Sequence, residues 1–237
     1  MSKKVLMVAS NPTISSQTGW PVGFWLAELT HPYAQFVQAG YDVTIASPDG
    51  GTIRPDDYSD PRHESGYSAD DILSLGFLSS PKHAALLVDT LTLSDVELAD
   101  YDAVFLVGGQ APMFTFYNDE RVHRLIADSY GHGKITTVVC HATSALLKTR
   151  TSDGKLLVDG KTWTGFANSE EDAADAAVGR KLQPFRIEDE ARAISGTNFI
   201  VQRAFRPHAV RDGNLITGQQ QNSGAAAARL VIEALGH

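Results

Sequence analysis

Short segments rich in β-branched residues recur along the chain without regular alternation of apolar and polar positions, and longer helical patterns separate them. Such segments are typical of strands in a sheet that is covered on both faces. The clearest examples are residues 5–9, 43–46, 103–107 and 135–139. Strands that alternate with helices predict an α/β fold with a mostly parallel, doubly wound sheet and right-handed crossovers.

Helical patterns lie between and after these strands. Residues 24–38 end before Gly40, and residues 120–130 end before Gly131, because glycine readily terminates a helix. A short strand is predicted at residues 162–164 and a hairpin with an Asp-Gly turn at residues 210–216. Three further helices are predicted at residues 141–147, from residue 169 onward and at residues 223–235.

Residues 52–80 differ in composition from the rest of the chain. They are polar, and Pro, Asp, Ser and Gly recur throughout. This pattern predicts a loop or cap insertion near the carboxyl edge of the sheet, within a single domain that spans residues 1–237. With 43% hydrophobic residues, a chain of this length can bury one sizeable core.

The charge and cysteine content narrow the classes of function. Lys and Arg number 20 against 28 Asp and Glu, a net charge of −8, which disfavours binding to nucleic acids and anionic membranes. The single cysteine forbids an internal disulfide and favours a reducing compartment. No apolar run is long enough for a secretion signal or a transmembrane helix. We therefore expect a cytoplasmic protein.

Cys140 is the strongest candidate for a catalytic residue. It follows the predicted strand at residues 135–139, and a helix is predicted to begin at His141. A nucleophile at such a turn projects at the carboxyl end of the strand, where α/β sheets bind ligands. The following backbone N–H groups can hold an oxyanion and, with the helix dipole, favour a thiolate. Ala142 is small and leaves room for a substrate.

Structural roles are the alternatives for these residues. Free cysteines are among the most buried residue types, so Cys140 could be an inert core residue. His141 could be a general base, a backbone donor or a structural histidine, because adjacent residues at a strand end point in opposite directions. Glu28, in the helix predicted at residues 24–38, would by default be a solvated helix residue.

Four segments, taken in order, carry a family resemblance. They are Gly108-Gly109 after a strand, the Cys140-His141 turn, residues 164–171 and residues 212–219. Together they resemble the ThiJ/PfpI superfamily of class I glutamine amidotransferase-like proteins. Within this superfamily, a glutamate in an early helix followed by His-Pro, here Glu28 and His31-Pro32, resembles the branch that holds glutathione-independent glyoxalase III enzymes and related small heat-shock chaperones. The resemblance implies a flavodoxin-like three-layer sandwich, usually a homodimer, with a Cys-His-acid site.

The resemblance also implies roles for individual side chains. Cys140 would be the nucleophile, Glu28 the proton-shuttling acid beside it, and His141 the triad histidine. Glu170 or Glu171 would orient His141, and the spacing does not choose between them.

The residues that would bind an oxyanion or substrate include one departure from the branch. The backbone N–H groups of Gly109 and His141 would form the oxyanion site. The branch usually has Gly-Gly-His-Gly at the end of the third strand, but here Gln110 and Ala111 follow the two glycines. The missing histidine changes the polarity of the pocket rim, so we expect this departure to affect which substrate binds more than the chemistry of the cysteine. The candidates for oxyanion or substrate binding are thus Gly108, Gly109, Gln110 and Ala142.

The activity implied is a cofactor-free conversion of small reactive carbonyls, such as methylglyoxal to D-lactate. Alternatives on the same scaffold are another thiol hydrolase, amidase or hydratase, and a stress chaperone or a redox sensor that oxidises Cys140. The eight histidines show no zinc-site spacing, and no dinucleotide or phosphate-loop pattern follows a strand. We expect no metal and no cofactor. The expected partners are a small carbonyl substrate and a second copy of the chain.

Overall fold

The computed structural model describes residues 2–236 of the chain. Its strands, in chain order, are β1 (Lys4–Val8), β2 (Thr13–Ile14), β3 (Pro21–Val22), β4 (Asp42–Ser47), β5 (Asp49–Gly51), β6 (Thr90–Thr92), β7 (Ala103–Leu106), β8 (Ile135–Val139), β9 (Thr162–Trp163), β10 (Asn198–Phe199), β11 (Ala209–Asp212) and β12 (Leu215–Gly218).

The α-helices are α1 (Leu26–Gln38), α2 (Ile72–Ser79), α3 (Pro81–Ala84), α4 (Glu120–Gly131), α5 (Asn168–Val178), α6 (Ile187–Ala193) and α7 (Gly224–Leu235). Short 3-10 helices lie at Asp57–Ser59, Ala85–Leu87, Leu93–Asp95, Leu98–Asp100, Ala111–Met113, Phe116–Asn118 and Cys140–Leu147. Within residues 2–236, no helix combines the length and the hydropathy needed to cross a bilayer.

Eight strands form the central sheet, in the order β11-β12-β8-β7-β1-β4-β6-β5. The edge strands β11 and β5 run antiparallel to their neighbours, and every other pair is parallel. Helices α1 and α7 pack against each other, and α4 packs against β7 and β8. The predicted flavodoxin-like sandwich with a mostly parallel sheet is therefore confirmed.

The central strands are buried almost throughout, which explains why their sequences do not alternate. All residues of β7 and β8 are buried, and so are the last four of β1. The register pairs Val8 with Leu106, and Leu106 with Val138. The carboxyl ends of these three strands therefore meet at one edge, where the chain continues into Gly108 and Cys140.

The structure also contains elements that the sequence did not predict. Helix α2 lies within the last third of residues 52–80, where only a loop or cap was expected, and Asp71 caps it by accepting a hydrogen bond from the Ser74 N–H. Helix α6 and the short strands β5 and β6, which end one side of the sheet, were also missed. Elements of three to eight residues carry too little periodicity to be distinguished from loops.

Candidate active site

Cys140 lies in a strained turn directly after β8. Its φ is 56°, in the left-handed region that non-glycine residues rarely adopt. The Thr143 hydroxyl donates a 2.6 Å hydrogen bond to the Cys140 carbonyl and braces the turn. The helix that follows is a 3-10 helix. The side chain is only 3% exposed, yet it lines a cavity of about 330 Å³ at the carboxyl edge of the sheet.

Glu28 lies beside this cysteine, although it belongs to the first turn of α1. Its carboxyl is completely buried and interacts with the Cys140 thiol. The Gly108 N–H donates a 2.8 Å hydrogen bond to Oε2, whereas no N–H or O–H of the described residues reaches Oε1. Burial raises the pKa of Glu28 to about 7. The carboxyl can therefore both hold and release a proton near neutral pH.

His141 links the cysteine to a second carboxylate. Its Nε2 lies 2.9 Å from Glu171 Oε1, and its Nδ1 lies 3.7 Å from Cys140 Sγ. The ring stacks on Phe166 with 4.0 Å between centroids. An ionised carboxylate can only accept, so Nε2 carries the proton and the Nδ1 lone pair faces the sulfur. His141 is thus oriented to accept a proton from the thiol.

The two neighbouring glutamates at the start of α5 have different contacts. Glu171 contacts His141, whereas Glu170 accepts hydrogen bonds from the Ala167 N–H, the Phe205 N–H and the Gln219 side chain, each at 2.9 Å. Phe205 also has a positive φ, of 58°. Glu170 therefore fixes a loop that contributes Phe205 to the cavity wall, and it does not touch His141.

The charge state of the cysteine depends on Glu28. Burial and the negative charge of ionised Glu28 raise the pKa of the Cys140 thiol well above its ordinary value, and the N–H groups of Gly109 and His141 lower it. The sequence led us to expect that the turn alone favours a thiolate. In the structure, ionised Glu28 and burial instead disfavour the thiolate, which is less disfavoured when the Glu28 carboxyl is protonated and neutral.

The two glycines after β7 allow the chain to pass close to this pair. A Cβ at Gly108 would lie 2.6 Å from both Cys140 Cβ and Glu28 Oε2. Gly109 has a φ of 114°, and a Cβ there would lie 2.3 Å from the Trp25 nitrogen. No other residue fits at either position. The Gly109 N–H consequently approaches the sulfur, where an oxyanion would form.

Asp56 is a buried residue near this site that the sequence analysis missed. Its two carboxylate oxygens accept 2.8 Å hydrogen bonds from the N–H groups of Gly23 and Gln110. It thereby joins the segment before α1 to the turn after β7. Burial raises its pKa to about 7. Asp56 lies in the polar segment 52–80, and nothing in the local sequence distinguishes it from the acidic residues around it.

The remaining predicted residues occupy different places. The Gln110 side chain lines the cavity, and its amide oxygen has no hydrogen-bond partner among the described residues. Ala142 is completely buried and does not line the cavity. Among residues 2–236, no cluster of three or more His, Cys, Asp or Glu side chains is arranged to hold a metal ion.

Aromatic and small residues form most of the cavity wall. Trp25 and Tyr67 meet edge to face with 5.9 Å between ring centroids, and Tyr58 packs on Tyr67 in the same way at 6.2 Å. Both tyrosines come from the polar segment 52–80, which therefore supplies one wall of the site. Helix α5 supplies Ala173, Ala174 and Ala177.

The sequence profile of the DJ-1/PfpI family matches residues 22–234, and the chain belongs to this family. A probable glutathione-independent glyoxalase of Schizosaccharomyces pombe, hsp3103, is 28% identical over 92% of each chain. Glyoxalase 3 of Candida albicans is 26% identical over 99% of this chain and 98% of its own. The resemblance noted in the sequence is therefore confirmed.

Solved structures show the same relationship. The crystal structure of glyoxalase III from Candida albicans has a TM-score of 0.81 at 26% identity, covering 98% of this chain and 97% of its own. Rapid Encystment Protein 24 KDa of Francisella tularensis reaches a TM-score of 0.87 at 26% identity, covering 99% and 100%. The fold thus matches over the whole length, and the relatives with named activities support a glyoxalase-type enzyme.

Proposed function

We propose that this protein is a cysteine-dependent, cofactor-free enzyme that converts 2-oxoaldehydes, with methylglyoxal as the simplest case, into 2-hydroxy acids such as D-lactate. One observation carries the proposal. The Cys140 sulfur lies on a cavity wall between the Glu28 carboxyl, whose pKa is raised to about 7, and the imidazole of His141, 3.7 Å away. This is the pairing that a carbon-to-carbon proton transfer on a thiol-bound substrate requires.

The first step forms a carbon–sulfur bond. The Cys140 thiolate attacks the aldehyde carbon, and protonated Glu28 gives its proton to the resulting alkoxide. The product is a hemithioacetal, and Glu28 becomes a carboxylate. The N–H groups of Gly109 and His141, which approach the sulfur, lie where they can stabilise the oxyanion as it develops.

The second step moves hydrogen between adjacent carbons. Ionised Glu28 removes the proton from the sulfur-bearing carbon, and the electron pair moves onto the neighbouring carbonyl to give an enediolate. Glu28 returns the proton to the second carbon, and a proton passes from the first oxygen to the second. The result is a thioester of the 2-hydroxy acid. No electron acceptor is needed, because one carbon is oxidised as the other is reduced.

The last step releases the product. Water attacks the thioester, with His141 held by Glu171 to accept a proton from the water, and the thiolate leaves. One proton of the water returns to Glu28, and the other leaves with the acid. The original pair of thiolate and protonated carboxyl is thereby restored. Proton release then follows product formation at neutral pH, because the 2-hydroxy acid ionises.

The experiment that tests this proposal compares the wild type with Cys140→Ser on methylglyoxal and measures D-lactate. We expect D-lactate from the wild type without added glutathione or metal, and none above background from Cys140→Ser. An amide substrate and an aggregation assay run in parallel address the alternatives. Full activity of Cys140→Ser on methylglyoxal would rule out the proposed chemistry. The homodimer and the cytoplasmic location stay predictions.

A further inference from the structure

The cavity beside Cys140 is much larger than methylglyoxal requires. Its volume of about 330 Å³ falls in the range of roughly 300–1,000 Å³ that is typical of pockets for drug-sized ligands. Methylglyoxal has only a methyl group beyond its two carbonyls. A substrate this small would leave most of the apolar wall uncovered, and the binding energy of that wall would not contribute to the reaction.

The wall itself indicates what would fill the space. Trp25, Phe166 and Phe205 present aromatic side chains to the cavity, and Trp20, Tyr58 and Tyr67 surround its mouth as exposed or half-exposed rings. Aromatic side chains favour edge-to-face or offset contacts with a further ring. Helix α5 contributes small alanine side chains to the lining, which leave the space open.

The charge of the lining disfavours anionic substituents. The described residues that line the cavity include no Lys or Arg. The acidic lining residue, Glu171, is already engaged with the His141 imidazole. An anionic substituent would therefore find no partner there, and a buried charge without a partner is strongly disfavoured.

We infer that the preferred substrates are 2-oxoaldehydes with an uncharged aromatic or similarly bulky apolar substituent in place of the methyl group. This inference rests on the proposed 2-oxoaldehyde chemistry and concerns the same site. The reaction is balanced as before, with water consumed and the substituent unchanged. Phenylglyoxal, which would give mandelate, is the probe of this class.

The test compares initial rates on phenylglyoxal and methylglyoxal. A single methylene in an apolar pocket is worth roughly 10- to 200-fold in kcat/KM. For the wild type we therefore expect kcat/KM to be at least about tenfold higher for phenylglyoxal. An equal or higher kcat/KM for methylglyoxal, with turnover that depends on Cys140, would overturn the inference and leave the proposed function standing.

Two alanines of α5 provide a matched pair of variants. Ala177 lines the cavity, whereas Ala176 is exposed on the same helix and does not line it. Ala177→Leu narrows the cavity, so it should lower kcat/KM for phenylglyoxal at least tenfold more than that for methylglyoxal. Ala176→Leu should leave both unchanged. Equal effects of Ala177→Leu on both aldehydes would contradict the inference. Failure of the proposed function would appear differently, as no Cys140-dependent turnover of either aldehyde, and would remove the basis of the inference.

Discussion

Replacing the Glu28 carboxyl by an amide should make the protein more stable at neutral pH while it loses activity. The side chain is completely buried, and burial raises its pKa from 4.5 to about 7. Each pKa unit corresponds to about 1.36 kcal/mol, so the ionised carboxyl costs the folded state about 3 kcal/mol above pH 7. Glu28→Gln stays neutral and can still accept the hydrogen bond from the Gly108 N–H.

The sign of the pH dependence follows from the direction of this pKa change. Below about pH 4.5, Glu28 is protonated in both the folded and the unfolded chain, and its ionisation costs nothing. Between pH 4.5 and 7, the unfolded chain loses the proton first, so the free energy of unfolding falls as pH rises. The stability of Glu28→Gln relative to the wild type should therefore increase between pH 4.5 and 7. At higher pH the difference should stay at up to about 3 kcal/mol.

Urea unfolding at pH 4, 6 and 8 measures this difference directly. Asp56 is also buried and is present in both proteins, so the comparison isolates Glu28 together with the smaller coulombic effect of Asp56 on the Glu28 pKa. Glu233→Gln, an exposed change on α7, is the control and should alter the free energy of unfolding by less than about 0.5 kcal/mol at every pH. Turnover of Glu28→Gln should fall roughly 100- to 10,000-fold. A Glu28→Gln variant no more stable than the wild type at pH 8 would refute the reasoning.

Three further predictions concern the turn and its supports. Because Cys140 has a positive φ, Cys140→Gly should be about 1 kcal/mol more stable in urea unfolding than Cys140→Ala. At most positions glycine is instead less stable than alanine, and that result here would contradict strain at this turn. Glu171→Gln should lower kcat roughly 100-fold, because an amide no longer ensures that the proton of His141 is on Nε2 and that Nδ1 is free to accept one. Glu170→Gln should instead lower the free energy of unfolding by about 1–3 kcal/mol, because one of the three groups that donate to Glu170 loses its acceptor. Similar kcat values for Glu170→Gln and Glu171→Gln would contradict these separate roles.

The sheet and the nucleophile turn were predictable because short-range patterns encode them. The strand at Ile135–Val139 was predicted with its observed bounds. Strand β1 begins and ends one residue earlier than predicted, and β7 ends one residue earlier. Buried strands require uninterrupted apolar sequence, and that requirement is visible without the fold. The position of Cys140 after such a strand was likewise visible in the sequence.

The contacts around the cysteine could not be predicted, because they join residues that are distant in sequence. Glu170 and Glu171 are adjacent, and only the rotation of α5 determines that Glu171 meets His141. Asp56 meets its partners across separations of 33 and 54 residues. Composition predicts that residues 52–80 are polar, but it does not reveal that one of their carboxylates is buried or that two of their tyrosines form a wall of the cavity.

The dependence of Cys140 reactivity on pH tests the central claim most directly. The chain has a single cysteine, so iodoacetamide reports on this sulfur alone. Because burial and ionised Glu28 raise the pKa of the Cys140 thiol, the alkylation rate of the wild type should rise only at pH values well above the range of an ordinary thiol, and Glu28→Gln, which removes the negative charge, should move the midpoint downward. A wild-type midpoint at or below the range of an ordinary thiol, or a midpoint that Glu28→Gln leaves in place or moves upward, would contradict the account.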